Sequence, residues 1–166
     1  MIEEAYDRYL ASVDAKQQVI MGDSAGGALT LVQAMRLREQ GRAQPAHLVL
    51  LSPWLDITMR DPAVPVLDRR DPYLSTPGLL EAARMYAGGL AHSDSRLSPI
   101  YGTFTGLGRI SVFIGTRDVL LADSRRLRGL LADQGISFDY IEYQDMFHGW
   151  LLQRIPEARQ ATAQLA

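Results

Sequence analysis

Apolar residues at Ile2, Ala5, Tyr6, Tyr9, Leu10 and Val13 fall at helical steps of three and four, so the chain opens on an amphipathic helix that ends before Asp14. The segment from Gln17 to Met21 carries the short apolar run Val19-Ile20-Met21 and stops at Gly22, which reads as a strand. From Ala25 to about Glu39 the chain is rich in Ala, Leu and Met, and Gly41 ends that helix. His47-Leu48-Val49-Leu50-Leu51 is a continuous apolar run expected of a strand buried on both faces, and Arg109-Ile110-Ser111-Val112-Phe113-Ile114 is another. Beyond it, Asp123 or Ser124 can cap a helix bearing Leu127, Leu130 and Leu131 that Gly135 closes. Phe138 to Tyr143 alternates as a final strand, and a short helix follows Pro156.

Strands alternating with helices predict an α/β fold: a mostly parallel sheet of about four strands flanked by helices. In such sheets ligands sit beyond the carboxyl ends of the strands. The rhythm breaks once, in the connection from Ser52 to Gly108, which holds six of the eight prolines. One helix is expected inside it, with Thr76 as cap, Pro77 at its first position, and Leu79, Leu80, Ala83, Tyr86 and Ala87 as its apolar side. Residues 1–166 form one domain on this reading, and 52–108 is a connection shaping the site.

Composition narrows the function. Hydrophobic residues make up 47% of the 166 positions, enough for a sizeable core, and a net charge of -2 with no block of one sign leaves no basic footprint for nucleic acid or anionic lipid. Neither nucleic acid nor a membrane is expected as a partner; a small neutral molecule fits better. The absence of cysteine excludes disulfides and thiolate-held zinc or iron-sulfur centres, and three histidines make a histidine-rich metal site a poor expectation. Met1 is followed by the acidic, helix-like Ile2-Glu3-Glu4-Ala5 rather than a leader, so a cytoplasmic location is expected.

The chemistry concentrates at the expected carboxyl edge. Gly22-Asp23-Ser24-Ala25-Gly26 is a G-x-S-x-G match lying directly between a predicted strand and a predicted helix, the context in which such a serine is held exposed on a tight turn. Its neighbours are small, which lets a carbonyl approach the hydroxyl. The helix start also aims the Ala25 N–H at the oxygen that becomes negative during acyl transfer. A serine nucleophile needs a base, and the base an orienting carboxylate. His148, just after the last strand, emerges on the same edge; His47 starts a strand on the opposite edge, and His92 reads as a solvated loop residue. Asp118, at the end of the third strand, is the favoured acid; Asp123 has a sufficient task as helix cap, and Asp145 is a third choice. Tyr73, Leu79, Leu80, Met85 and Tyr86 in the long connection line a pocket or fill a core; Tyr86, Met85 and Trp150 are the candidate substrate-binding residues.

Together Gly22-Asp23-Ser24-Ala25-Gly26-Gly27, Ser52-Pro53-Trp54-Leu55-Asp56, Ser98-Pro99, the run Gly115 to Ser124, and Phe147-His148-Gly149-Trp150 resemble the hormone-sensitive-lipase family of esterases, from about residue 5 to residue 155. The resemblance implies an α/β-hydrolase that cleaves carboxylic esters, usually short-chain, without a cofactor, with Ser24 as nucleophile, Asp118 as acid and His148 as base. It also marks a departure. The family's His-Gly-Gly segment, which completes the oxyanion hole upstream of the nucleophile, has no counterpart between Met1 and Gly22, so the chain is similar to the C-terminal part of such an enzyme. Two further readings stay open: a peptidase or amidase on the same fold, and a non-catalytic half-domain. An open sheet edge would in any case invite self-association or pairing with another chain.

Overall fold

The computed structural model describes residues 2–165. Four parallel strands, β1 (Val19–Asp23), β2 (His47–Leu51), β3 (Arg109–Gly115) and β4 (Phe138–Tyr143), lie side by side in chain order. Parallel neighbours require a crossover between them, and the described residues hold six α-helices: α1 (Ile2–Tyr9), α2 (Ala25–Glu39), α3 (Val64–Asp68), α4 (Thr76–Tyr86), α5 (Leu121–Asp133) and α6 (Pro156–Leu165).

Because side chains alternate across a strand, each inner strand feeds two cores. Leu48, Leu50, Ile110 and Val112 face Leu31, Ala34 and Met35 of α2 and Leu127 and Leu131 of α5. Val49, Leu51 and Phe113 face the other way, against Trp150 and against Ala158 and Ala161 of α6. A third cluster sits at the carboxyl end of the sheet. There Trp54, Ile57, Val64, Leu67, Leu79 and Ala83 of the long connection pack on Ile114 and on Val119 to Ala122. The connection is therefore part of the core that floors the site.

The sequence reading needs four adjustments. β1 runs Val19–Asp23, two residues later than the Gln17–Met21 reading, and passes through Gly22. α1 ends at Tyr9, because Gln18 turns the following residues by donating from Nε2 to the Leu10 and Val13 carbonyls. The connection contains the short α3, and α4 is capped by Ser75, with Thr76 already helical. Finally, α5 starts three residues earlier than the polar pair suggested. Leu120 occupies its cap position, since burying Leu120 and Leu121 fixes the helix start, and Asp123 and Ser124 fall inside the first turns, both buried. Among the described residues no helix is long and apolar enough to cross a membrane.

Candidate active site

Ser24 stands between β1 and α2 with φ 56° and ψ -119°, a left-handed conformation that β-carbon-bearing residues avoid. Four contacts hold it there. Its N–H donates to the Leu51 carbonyl at 2.9 Å, and its carbonyl accepts from Gly27 at 3.0 Å, Ala28 at 3.4 Å and Trp54 at 2.9 Å. The glycines are steric necessities. A Cβ at Gly22 would run into the Gly26 carbonyl, and one at Gly27 would lie 2.8 Å from Pro53 Cβ, whereas Gly26 faces open space. Ala25 is exposed, and its N–H is engaged in no backbone hydrogen bond among the described residues, as expected at the first turn of a helix.

His148 reaches the same edge on the loop after β4, and that loop is tied to the turn after β3. Arg117 N–H donates to the Met146 carbonyl at 2.9 Å, Thr116 N–H to the Tyr143 carbonyl at 3.0 Å, and Asp145 N–H to Thr116 Oγ1 at 2.8 Å. Gly115 must lack a Cβ because the Met146 carbonyl occupies its place. The result brings His148 Nδ1 to 3.0 Å from Asp118 Oδ2, with Asp118 wholly buried and His148 nearly so. Asp118 Oδ1 accepts the Leu120 N–H at 2.9 Å, which fixes the carboxylate plane. With a carboxylate at Nδ1 the ring proton belongs there, and Nε2 keeps its lone pair.

Among the described residues no hydrogen bond joins Ser24 Oγ to His148, a looseness common in unliganded sites. Asp23, the residue before Ser24, feels both members of the pair: burial raises its pKa, the His148 charge pulls it back, and Asp118 pushes it up again. For His148, burial alone would lower the pKa, but the Asp118 hydrogen bond and the charges of Asp118, Asp23 and Asp71 outweigh it, so the pKa is raised.

The other candidates lie apart. His47 pairs with Ser111 Oγ at 2.7 Å at the amino end of β2, and its pKa is lowered by burial and by Arg109. Asp145 sits at φ 60° in the turn leading to His148. Asp123 is buried in α5 beside Asp56 and Arg126 and makes no hydrogen bond to His148. Tyr86 lines an apolar cavity of about 190 Å³ with Ala25, Ala28, Trp54, Ile57 and Leu97. Met85 is 74% exposed, and Trp150 is wholly buried behind the sheet against Tyr143, so neither is brought to that cavity. Sequence reasoning passed over Asp23 and Asp71. The Asp71-Pro72 pair is a turn signal, which gave a reason to notice the second of them.

Comparison with known proteins agrees with this architecture. The alpha/beta hydrolase fold family profile matches residues 2–152. LipR of Mycobacterium tuberculosis, which carries an acetyl-hydrolase name, is 38% identical over 159 residues, covering 92% of this chain and 50% of its own. An esterase of Acinetobacter venetianus is 30% identical over 176 residues, covering 99% of this chain and 57% of its own. The crystal structure of an esterase from the bacterial hormone-sensitive lipase family superposes with a TM-score of 0.92 at 32% identity, covering 97% of this chain and 55% of that one. The chain thus spans about half the length of these relatives.

Proposed function

The chain belongs to the alpha/beta hydrolase fold family, and from that premise we propose that it carries the nucleophile, base and acid of a serine carboxylesterase acting on short-chain esters. One observation carries the reading: a serine in a strained strand-to-helix turn shares the sheet's carboxyl edge with a buried histidine hydrogen-bonded through Nδ1 to a buried aspartate.

In the proposed reaction Ser24 Oγ attacks the ester carbonyl carbon as His148 Nε2 takes the hydroxyl proton. The developing oxyanion lies at the amino end of α2 and receives the Ala25 N–H. Asp118 keeps the imidazole oriented and stabilises the imidazolium. The tetrahedral intermediate collapses by breaking the carbon–oxygen bond to the alcohol, and the imidazolium proton goes to that leaving oxygen. Water, deprotonated by His148, then releases the acid and restores Ser24. The names of the relatives, acetyl-hydrolase and esterase, support an ester as substrate. A cavity of about 190 Å³ beside Ala25 supports a short acyl or alcohol group, since drug-sized ligands need roughly 300–1,000 Å³.

The test is covalent labelling by an organophosphonate, followed by peptide mapping. The label is expected on Ser24 and lost in Ser24→Ala; labelling that survives the substitution overturns the assignment. Turnover of a short-chain aryl ester against the matching anilide then separates an esterase from an amidase.

A further inference from the structure

The turn that carries Asp118 is held by a segment far away in sequence. Asp71, 9% exposed, follows α3 and lies in the connection between β2 and β3. Its Oδ2 accepts the N–H of Val119, the residue after Asp118, at 2.9 Å across a separation of 48 positions. Its Oδ1 accepts from Tyr73 at 2.8 Å and Leu74 at 3.2 Å, so three backbone donors fix one carboxylate. The neighbouring residue adds a second tie, because Arg117 Nε donates to the Arg70 carbonyl at 3.2 Å. Two residues further on, the Tyr73 ring centroid lies 6.5 Å from that of His148. One short segment thus touches both sides of the Asp118 turn and stands beside the imidazole.

We propose that Asp71 is a positioning residue for the Asp118–His148 pair: its carboxylate pins the turn presenting Asp118 and completes the negative surroundings in which the imidazole stands. The inference rests on the esterase reading for its catalytic meaning, but the pair it concerns is a feature of the fold. Val119 is fully buried, so without Asp71 its N–H would lose its partner away from water. The Asp118 backbone would then be free to shift, and Asp118 fixes His148 through a single 3.0 Å hydrogen bond. The groups facing His148 are Asp118 from the β3–α5 turn, Asp23 from the β1–α2 turn, Asp71 from the connection, and the Tyr73 ring. Each of the three carboxylates favours the protonated ring.

The experiment is proton and nitrogen NMR on the 166-residue chain, following the far-downfield Nδ1–H resonance of His148 and the pH midpoint of its ring. Thermal melts run alongside. Asp71→Ala is expected to broaden or remove the resonance. Asp71→Asn keeps one acceptor oxygen for the Val119 N–H but loses the charge and the second oxygen shared by Tyr73 and Leu74, and is expected to retain the resonance while moving the midpoint to lower pH. Asp68→Asn weakens the same segment where Asp68 holds Thr76, and is expected to leave both signals as in the wild type. A melting temperature that falls in Asp71→Ala with resonance and midpoint unchanged would reduce Asp71 to a packing residue and overturn the proposal. So would an Asp68→Asn variant that reproduces the Asp71→Asn shift. Should Asp71→Ala not fold, the midpoint in Asp71→Asn decides, and no shift there overturns it. In a variant series with measurable turnover, Asp71→Ala lowers kcat by on the order of 10²-fold with KM little changed, as for a misplaced catalytic group. Failure of Ser24 to label would sink the esterase reading while leaving these NMR signals to judge Asp71.

Discussion

Ser24 is held in a backbone region that costs on the order of 1–3 kcal/mol, and its position follows from small neighbours and hydrogen bonds to Leu51, Gly27 and Trp54. The base proposed for it, His148, is tuned in the opposite direction from ordinary burial. Desolvation disfavours the charged His148 ring, yet the Asp118 bond and three carboxylate charges raise its pKa above 6.5. Catalysis requires the neutral ring, so kcat/KM is expected to rise with pH along a limb centred above the ordinary imidazole value; a limb below it would contradict the arrangement. Asp118→Asn is expected to lower kcat by ~10⁴-fold with the fold retained, as when a triad acid is neutralised, and circular dichroism checks the second half of that statement. Asp123 shows a different physics. Burial first, then the charges of Asp56 and Asp61, raise its pKa to about 7 despite Arg126, and its Oδ1 has no hydrogen-bond partner. A carboxyl with a raised pKa binds its proton more tightly in the folded state. Its stabilising contribution is therefore lost as pH climbs from about 4 to about 7, and is level above that. Asp123→Asn removes the ionisation, so it is expected to raise Tm at pH 8 and change it little at pH 4; a lower Tm at pH 8 would rule this out.

At the scale of elements, α4 is the element that would meet the acyl or alcohol group on the proposed reading. Its inner side, Leu79 and Ala83, is core, while Tyr86 stands at the cavity beside Ala25 and Met85 points to solvent. Tyr86→Ala is expected to widen that cavity and shift preference toward longer esters, with Met85→Ala as a neutral control, measured as kcat/KM over an ester series. Equal effects of the two would mean that the cavity does not hold substrate. β2, β4 and α2 were legible from the sequence to their ends, and β3 to within one residue, because their apolar periods are set by one buried face or two. The placement of Ser24 and His148 on one edge of the sheet was legible because a turn motif and the end of a strand announce position without any tertiary knowledge. The start of α5 was not, since Asp123 and Ser124 have capping chemistry and only the packing of Leu120 and Leu121 reveals them as interior. Nor was Asp71, whose partner Val119 lies 48 residues on. Trp150 shows the same limit, because adjacency to His148 in sequence did not predict that its ring turns behind the sheet.

For the whole molecule the decisive feature is β1. Among the described residues it pairs with β2 alone, leaving its outer edge unpaired, and Val19 and Met21 are 54% and 51% exposed along it. Beside this edge Ile2, Tyr6 and Tyr9 of α1, Leu10 just after it and Leu29 of α2 line an apolar groove of about 480 Å³. A free parallel edge flanked by apolar surface is a template for another strand. The 166-residue chain is therefore expected to sediment as an associated species, and placing lysine at both Val19 and Met21 is expected to move it toward the monomer, because charge on an edge strand opposes pairing. On the proposed reading, turnover at this scale depends on the oxyanion donors. At the proposed oxyanion position the Ala25 N–H has no backbone partner among the described residues, and loss of one such donor costs on the order of 10²–10³-fold in kcat. The isolated chain is expected to turn over a short aryl ester weakly, and a version extended upstream by a His-Gly-Gly-bearing segment to do so at least two orders of magnitude faster while sedimenting as a smaller species. Turnover and sedimentation should change together, since the added strands that would cover β1 would also carry the missing donors. Brisk turnover by a monomeric short chain would contradict both expectations, and would place the second donor at Gly26 or in the connection between β2 and β3.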